Sequence, residues 1–130
     1  MKSLFFPLAV LAIGVFGASA ASADVAGSWH VEGRVATHAF TLNCDFKPDG
    51  GRLGGVCVEA PGNSDPATKA GKAHPLTAGS VNGADVSWTY PASFLLAKFD
   101  IVFAGRMDGD HMTGSINVKG HQGTFTAVRS

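Results

Sequence analysis

The sequence predicts an all-β domain, a closed eight-stranded antiparallel up-and-down barrel that follows an N-terminal export segment. Three observations carry this. Apolar and polar residues alternate with period two in run after run, and helical spacing is almost absent. Clusters of Gly, Asn and Asp separate the runs at hairpin spacing. Eight short strands in meander order leave two unpaired edges unless the first strand pairs with the last, an open sandwich being the alternative.

The first 23 residues read as a cleaved signal peptide. Lys2 supplies the positive start, Leu4 to Phe16 is apolar, and Ala18-Ser19-Ala20 and Ala21-Ser22-Ala23 are small-residue cleavage patterns, with the cut placed after Ala23. The apolar run is shorter than the roughly 18–20 residues that span a bilayer. Residues 24–130 are then the mature domain, periplasmic or secreted, with no membrane insertion expected after cleavage. Lys+Arg and Asp+Glu each total 10 in the whole chain, so losing Lys2 leaves one acidic group in excess. A neutral chain without a basic cluster is not expected to bind nucleic acid. Its 45% hydrophobic content excludes a disordered chain.

The expected strands are 27–33, 38–46, 53–59, 76–81, 85–90, 99–106, 111–118 and 124–129. Trp29, Val31 and Gly33 share one face of the first; Phe40, Leu42, Cys44 and Phe46 share one face of the second. Val86, Trp88 and Tyr90, then Phe99, Ile101 and Phe103, then Met112, Gly114, Ile116 and Val118 continue the pattern, and Phe125 and Val128 mark the last strand. Pro48-Asp49-Gly50-Gly51, Asn82-Gly83, Asp108-Gly109-Asp110 and Lys119-Gly120-His121 carry residues that tolerate positive φ. Residues 60–75 read as an extended loop. Residues 91–98 are apolar without alternation and read as a short helix or lid at the barrel mouth, presenting Phe94, Leu95 and Leu96.

Counting outward from a turn at Asp49–Arg52 places Pro48 opposite Leu53, Phe46 opposite Gly55 and Cys44 opposite Cys57. Directly opposed strand residues lie within bridging distance, and an exported chain meets an oxidising compartment. A Cys44–Cys57 disulfide is therefore expected, in a structural role.

Gly27-Ser28-Trp29 opens the first strand and Arg129 closes the last. A Gly-x-Trp start with a terminal Arg resembles the calycin pattern of lipocalins and their relatives, which implies that Arg129 stacks on Trp29 and seals one barrel end. The first hairpin around Phe46–Gly55, the late hairpin around Phe103–Gly114 and the ending Gly123–Arg129 are similar to a small bacterial lipocalin-like domain family. The resemblance covers most of residues 27–129 and departs from it at residues 60–75.

Catalytic and metal motifs are absent. His30, His38, His74, His111 and His121 show no metal-ligand spacing, and no metal or cofactor is expected. His30 and His38, as candidate neighbours in the first hairpin, are the pair to test for zinc. His74 and His121 are expected in loops, and Glu32 and Glu59 on exposed positions. Asp108-Gly109-Asp110 is a turn, not a calcium loop. The aromatic lining is the stronger signal: Phe40, Leu42, Trp88, Tyr90, Phe94, Phe99, Phe103 and Phe125 are the expected ligand-binding residues for a small hydrophobic or aromatic molecule. Two other readings stay open, a barrel-type cyclase or isomerase using Tyr90 or His38 as acid or base, and a filled barrel serving as an interaction module.

Overall fold

The computed structural model describes residues 25–61, 71–94 and 96–130. The predicted signal peptide and residues 62–70 of the predicted loop lie outside the described residues. Nine strands follow one another: β1 (Gly27–Val35), β2 (His38–Asp49), β3 (Arg52–Glu59), β4 (Ala73–Pro75), β5 (Ala78–Asn82), β6 (Asp85–Phe94), β7 (Ala97–Asp108), β8 (His111–Val118) and β9 (His121–Arg129). Consecutive strands pair antiparallel except β4 and β5, which both pair with β3, and β1 closes the sheet by pairing with both β2 and β9. With β4 and β5 taken as one interrupted strand between β3 and β6, this is the closed eight-stranded barrel.

The interruption has a local cause. β5 meets β3 at Arg52↔Ser80, and β4 meets it at Val56↔Pro75, so the broken strand carries one residue more than its partner over the same stretch. That extra residue is a bulge. Facing it, Gly55 takes φ +129°, and a Cβ there would strike the Asp45 carbonyl oxygen. The Leu76 N–H donates to the Gly55 carbonyl across the break, at 2.9–3.0 Å spacing typical of the ladder (3.0 Å).

Hairpin register follows turn chemistry. Asp49 pairs with Arg52, Asn82 with Asp85, Asp108 with His111 and Val118 with His121. Each turn therefore has two residues, and Gly50, Gly83, Gly109 and the Lys119-Gly120 pair supply the positive φ that such turns need. Inward positions alternate as expected. Trp29, Val31, Leu42, Phe46, Leu53, Val86, Trp88, Phe103, Met112, Ile116, Phe125 and Ala127 are buried in one core.

The Cys44–Cys57 disulfide forms at directly opposed positions inside the barrel. Burying both sulfurs places the cross-link in the core instead of on the hairpin's wet face.

Several expectations are corrected. Residues 91–98 are neither helix nor lid. Pro91 pairs with Asp100, Ala92 with Phe99, Ser93 with Lys98 and Phe94 with Ala97, so β6 and β7 simply run on as a hairpin. Pro91 is tolerated there because the β5 pairing of β6 ends at Thr89, leaving one side of the strand without a ladder partner. Leu96, at the hairpin tip, is fully exposed; Leu95 and the Phe94 side chain lie outside the described residues. His30 pairs with Asn43, and His38 pairs with Val35 at the other end of the hairpin, so the two histidines are not cross-strand neighbours. His121 is the first residue of β9, and His74 is the middle of β4.

Candidate functional site

One end of the barrel is sealed. The Arg129 guanidinium lies 4.5 Å from the Trp29 ring centroid, in the stacked geometry that favours a cation over an indole face. Its Nε donates to Asp110 at 2.9 Å and its Nη1 to the Ala26 carbonyl at 2.9 Å. The Trp29 indole N–H donates to the Val25 carbonyl at 2.9 Å. Trp29 and Arg129 are also directly opposed in the β1–β9 ladder, so this plug ties the first strand to the last.

Above the plug the interior is filled by aromatic rings. Trp88 stacks on Phe103 with centroids 4.8 Å apart and packs against Phe46 at 4.7 Å and edge-on to Phe125 at 5.3 Å. Tyr90 tilts over Phe103 at 5.7 Å, and Phe40 meets Phe103 edge-on at 6.3 Å. Contacts of this kind add to the burial of each ring. Of the predicted ligand-binding residues, Leu42, Trp88, Tyr90, Phe103 and Phe125 are buried in this column. Phe40 is only partly buried, as are Val35, Ile101 and Val118. Phe99 is half-buried with the Lys119 ammonium 5.8 Å from its ring centroid.

The end opposite Trp29 carries a group that the sequence reading placed elsewhere. Glu59, expected on an exposed position, is 6% exposed, and His74, expected in a loop, is 7% exposed. The reason is strand parity. Leu53, Cys57 and Glu59 occupy alternate positions of β3, and the buried face is theirs. His74 is the inward residue of β4 and sits opposite Cys57. Backbone bonds hold both strands in place: the Glu59 N–H donates to Lys72 at 2.9 Å, and the Gly71 N–H donates to Glu59 at 2.8 Å. His74 Nε2 and Glu59 Oε2 are 2.8 Å apart. A carboxylate in its ionised form can only accept, and the bond then uses the Nε2–H of the ring.

The His74 ring stacks on Tyr90 at 4.6 Å and 20°. Burial, and then the Glu59 charge, push the Tyr90 hydroxyl well above its ordinary pKa, so the phenol stays a donor. Neither this hydroxyl nor His74 Nδ1 has a hydrogen-bond partner among the described residues. The sealed, unpartnered side-chain polar atom there is a different one, Trp88 Nε1. The two polar atoms at the rim are therefore unpaired without being closed off.

The other candidates stay apart from this cluster. His38 is exposed at the start of β2. His30 Nδ1 is 3.0 Å from the Asn43 side-chain oxygen, on the outer face. Among the described residues no group of three or more His, Cys, Asp or Glu side chains is placed to hold a metal ion. A depression of about 570 Å³ lies on the outer wall between β5 and β8 and contains none of the predicted ligand-binding residues. Its Arg106–Asp85 pair, at 2.8 Å, is largely solvated and holds little energy.

Searches against protein-family models, curated proteins and solved structures return no match to this chain.

Proposed function

We propose that this chain is an exported, lipocalin-like barrel that binds a small hydrophobic or aromatic ligand at the rim opposite Trp29, working in the periplasm or outside the cell. The observation that carries the reading is the meeting, at one end of the barrel, of partly buried apolar side chains with two polar side chains that each keep an atom without a hydrogen-bond partner among the described residues. Phe40, Ile101 and Val118 offer apolar surface, while His74 and Tyr90 offer hydrogen bonds. Ligand sites are built from such a mixture. The stacked rings of Trp88, Phe103 and Phe125 serve as a rigid floor in this reading, so the ligand occupies the mouth and not the barrel's length. The calycin-like Gly27-Ser28-Trp29 and Arg129 elements support the family resemblance. The disulfide supports an oxidising compartment.

The buried Glu59–His74 pair favours a second reading, a barrel-type isomerase or cyclase. In that case His74, oriented by Glu59, replaces His38 as the base, with Tyr90 as hydrogen-bond donor.

The test is organic extraction and native mass spectrometry of protein purified from its own host, together with titration by the neutral probe N-phenyl-1-naphthylamine. A bound small apolar molecule, or saturable probe fluorescence that Phe40→Ser abolishes, supports the reading. Empty protein that gives no saturable probe signal overturns it.

A further inference from the structure

We infer that His74 and Tyr90 form a hydroxyl-recognition point at this rim, selecting neutral phenol-type ligands over both hydrocarbons and carboxylates. The inference rests on the rim-binding reading and names the ligand class. His74 Nε2 and Glu59 Oε2 are 2.8 Å apart, and the tautomer that donates to Glu59 through Nε2 presents Nδ1 as an acceptor. The Tyr90 phenol, 98% buried by residue area (2% exposed) and kept protonated, is a donor. The two rings stack with centroids 4.6 Å apart, so an imidazole and a phenol belong to one cluster. A single ligand hydroxyl is the smallest group that answers both, since it donates once and accepts as well.

The selectivity has two sources. A hydrocarbon of the same shape covers His74 Nδ1 and the Tyr90 hydroxyl without pairing them, and buried polar atoms left unmade weaken binding on the order of 10- to 100-fold. A carboxylate ligand can accept from Tyr90 but has nothing to donate to Nδ1, and it brings a second negative charge toward the buried Glu59. Partly buried Phe40 and Ile101 receive the aromatic or alkyl body.

The disulfide-intact mature chain is titrated by calorimetry with three probes of one shape: 4-propylphenol, propylbenzene and 4-propylbenzoate. The phenol is expected to bind about 10- to 100-fold more tightly than propylbenzene. Tyr90→Phe removes only the oxygen and is expected to erase most of that advantage, weakening the phenol and tightening propylbenzene. Equal affinity for phenol and propylbenzene overturns the hydroxyl assignment and leaves the apolar rim site standing. Tightest binding of the benzoate also overturns it, in favour of an anion site. No binding by any of the three overturns the rim site itself. A phenol preference that survives Tyr90→Phe removes Tyr90 from the recognition point and refutes the inference as stated.

Discussion

Removing the disulfide in two ways separates what its loop constraint contributes from what its sulfur atoms contribute. The bond joins residues 13 apart in sequence. Closing a loop of that size lowers the entropy of the unfolded chain enough to stabilise the fold by about 3 kcal/mol at 25 °C. Both cysteines are also core residues, Cys44 at 1% and Cys57 at 0% exposure. Cys44→Ala/Cys57→Ala leaves a void near methyl size at each position, for about 1 kcal/mol more apiece. The double variant is thus expected to lose about 5 kcal/mol, a large share of the roughly 5–15 kcal/mol that holds a typical domain. Reducing the unsubstituted protein keeps both sulfurs in place and is expected to lose only the loop contribution, about 3 kcal/mol. Urea unfolding followed by tryptophan fluorescence, on oxidised, reduced and Ala/Ala protein, gives the three values. An unfolding free energy unchanged by reduction refutes the loop argument. Reduced and Ala/Ala proteins of equal stability refute the claim that the sulfurs fill the core.

Three further perturbations test other parts of the barrel. Arg129→Ala strips the guanidinium from Trp29 and releases the Asp110 and Ala26 bonds, and is expected to cost about 1–2 kcal/mol in thermal or urea unfolding. Asp110→Asn, at a 75% exposed side chain, is expected to cost under about 1 kcal/mol, so an equal loss from both would contradict the dominance of the stack. Gly114→Ala sets a methyl against the Ala104 carbonyl and the Gly105 backbone across the β7–β8 ladder, where no side chain can yield; a loss of at least about 2 kcal/mol is expected, and unchanged stability would sink the close-approach argument. Tyr90→Phe is expected to flatten the alkaline limb of stability. The folded Tyr90 holds its proton above its ordinary pKa, whereas the unfolded phenol releases it near pH ~10. Its contribution is therefore complete below that pH and is lost as pH rises further, by up to about 1.4 kcal/mol per pH unit. Parallel urea midpoints for both proteins between pH 9 and 11.5 would refute it.

The barrel was legible because its signals are local. Two-residue turns with Gly at positive φ set each hairpin's register, and from one such register at Asp49–Arg52 the position of Cys57 opposite Cys44 follows by counting. The β4–β5 break was not legible. Its cause is a bulge facing Gly55, and the strand that bulges lies beyond a long connection where no turn fixes the count. The 91–98 hairpin was missed for a related reason. Beyond Thr89 the β5 partner ends, and Pro91 and Ser93 are exposed while Ala92 is half-buried. With less core to face, the segment does not need the alternation that marks a strand.

Glu59 was within reach of the same reasoning. Once Cys57 is placed inward to meet Cys44, period two carries Glu59 inward as well, and a carboxylate on a barrel's inner face demands a partner. His74 supplies it from a three-residue strand too short to show a pattern of its own. The departure from apolar lining also has a location. Inward from the sealed end, β3 runs Leu53, Gly55, Cys57 and only then Glu59, while β6 runs Val86, Trp88 and only then Tyr90. Glu59 is the last residue of β3, and on β6 half-buried Ala92 follows Tyr90. The strands that flank these two, β2 and β7, keep Phe40 and Ile101 at the same end, Ile101 directly opposed to Tyr90, and the Phe40 ring lies over Gly33, against Ile116. A buried acid–base pair is a weak source of stability, since apolar residues of similar volume often replace such pairs without loss. A rim that sets hydrogen-bonding side chains beside partly buried apolar ones fits the proposed binding of an oriented, amphipathic small molecule.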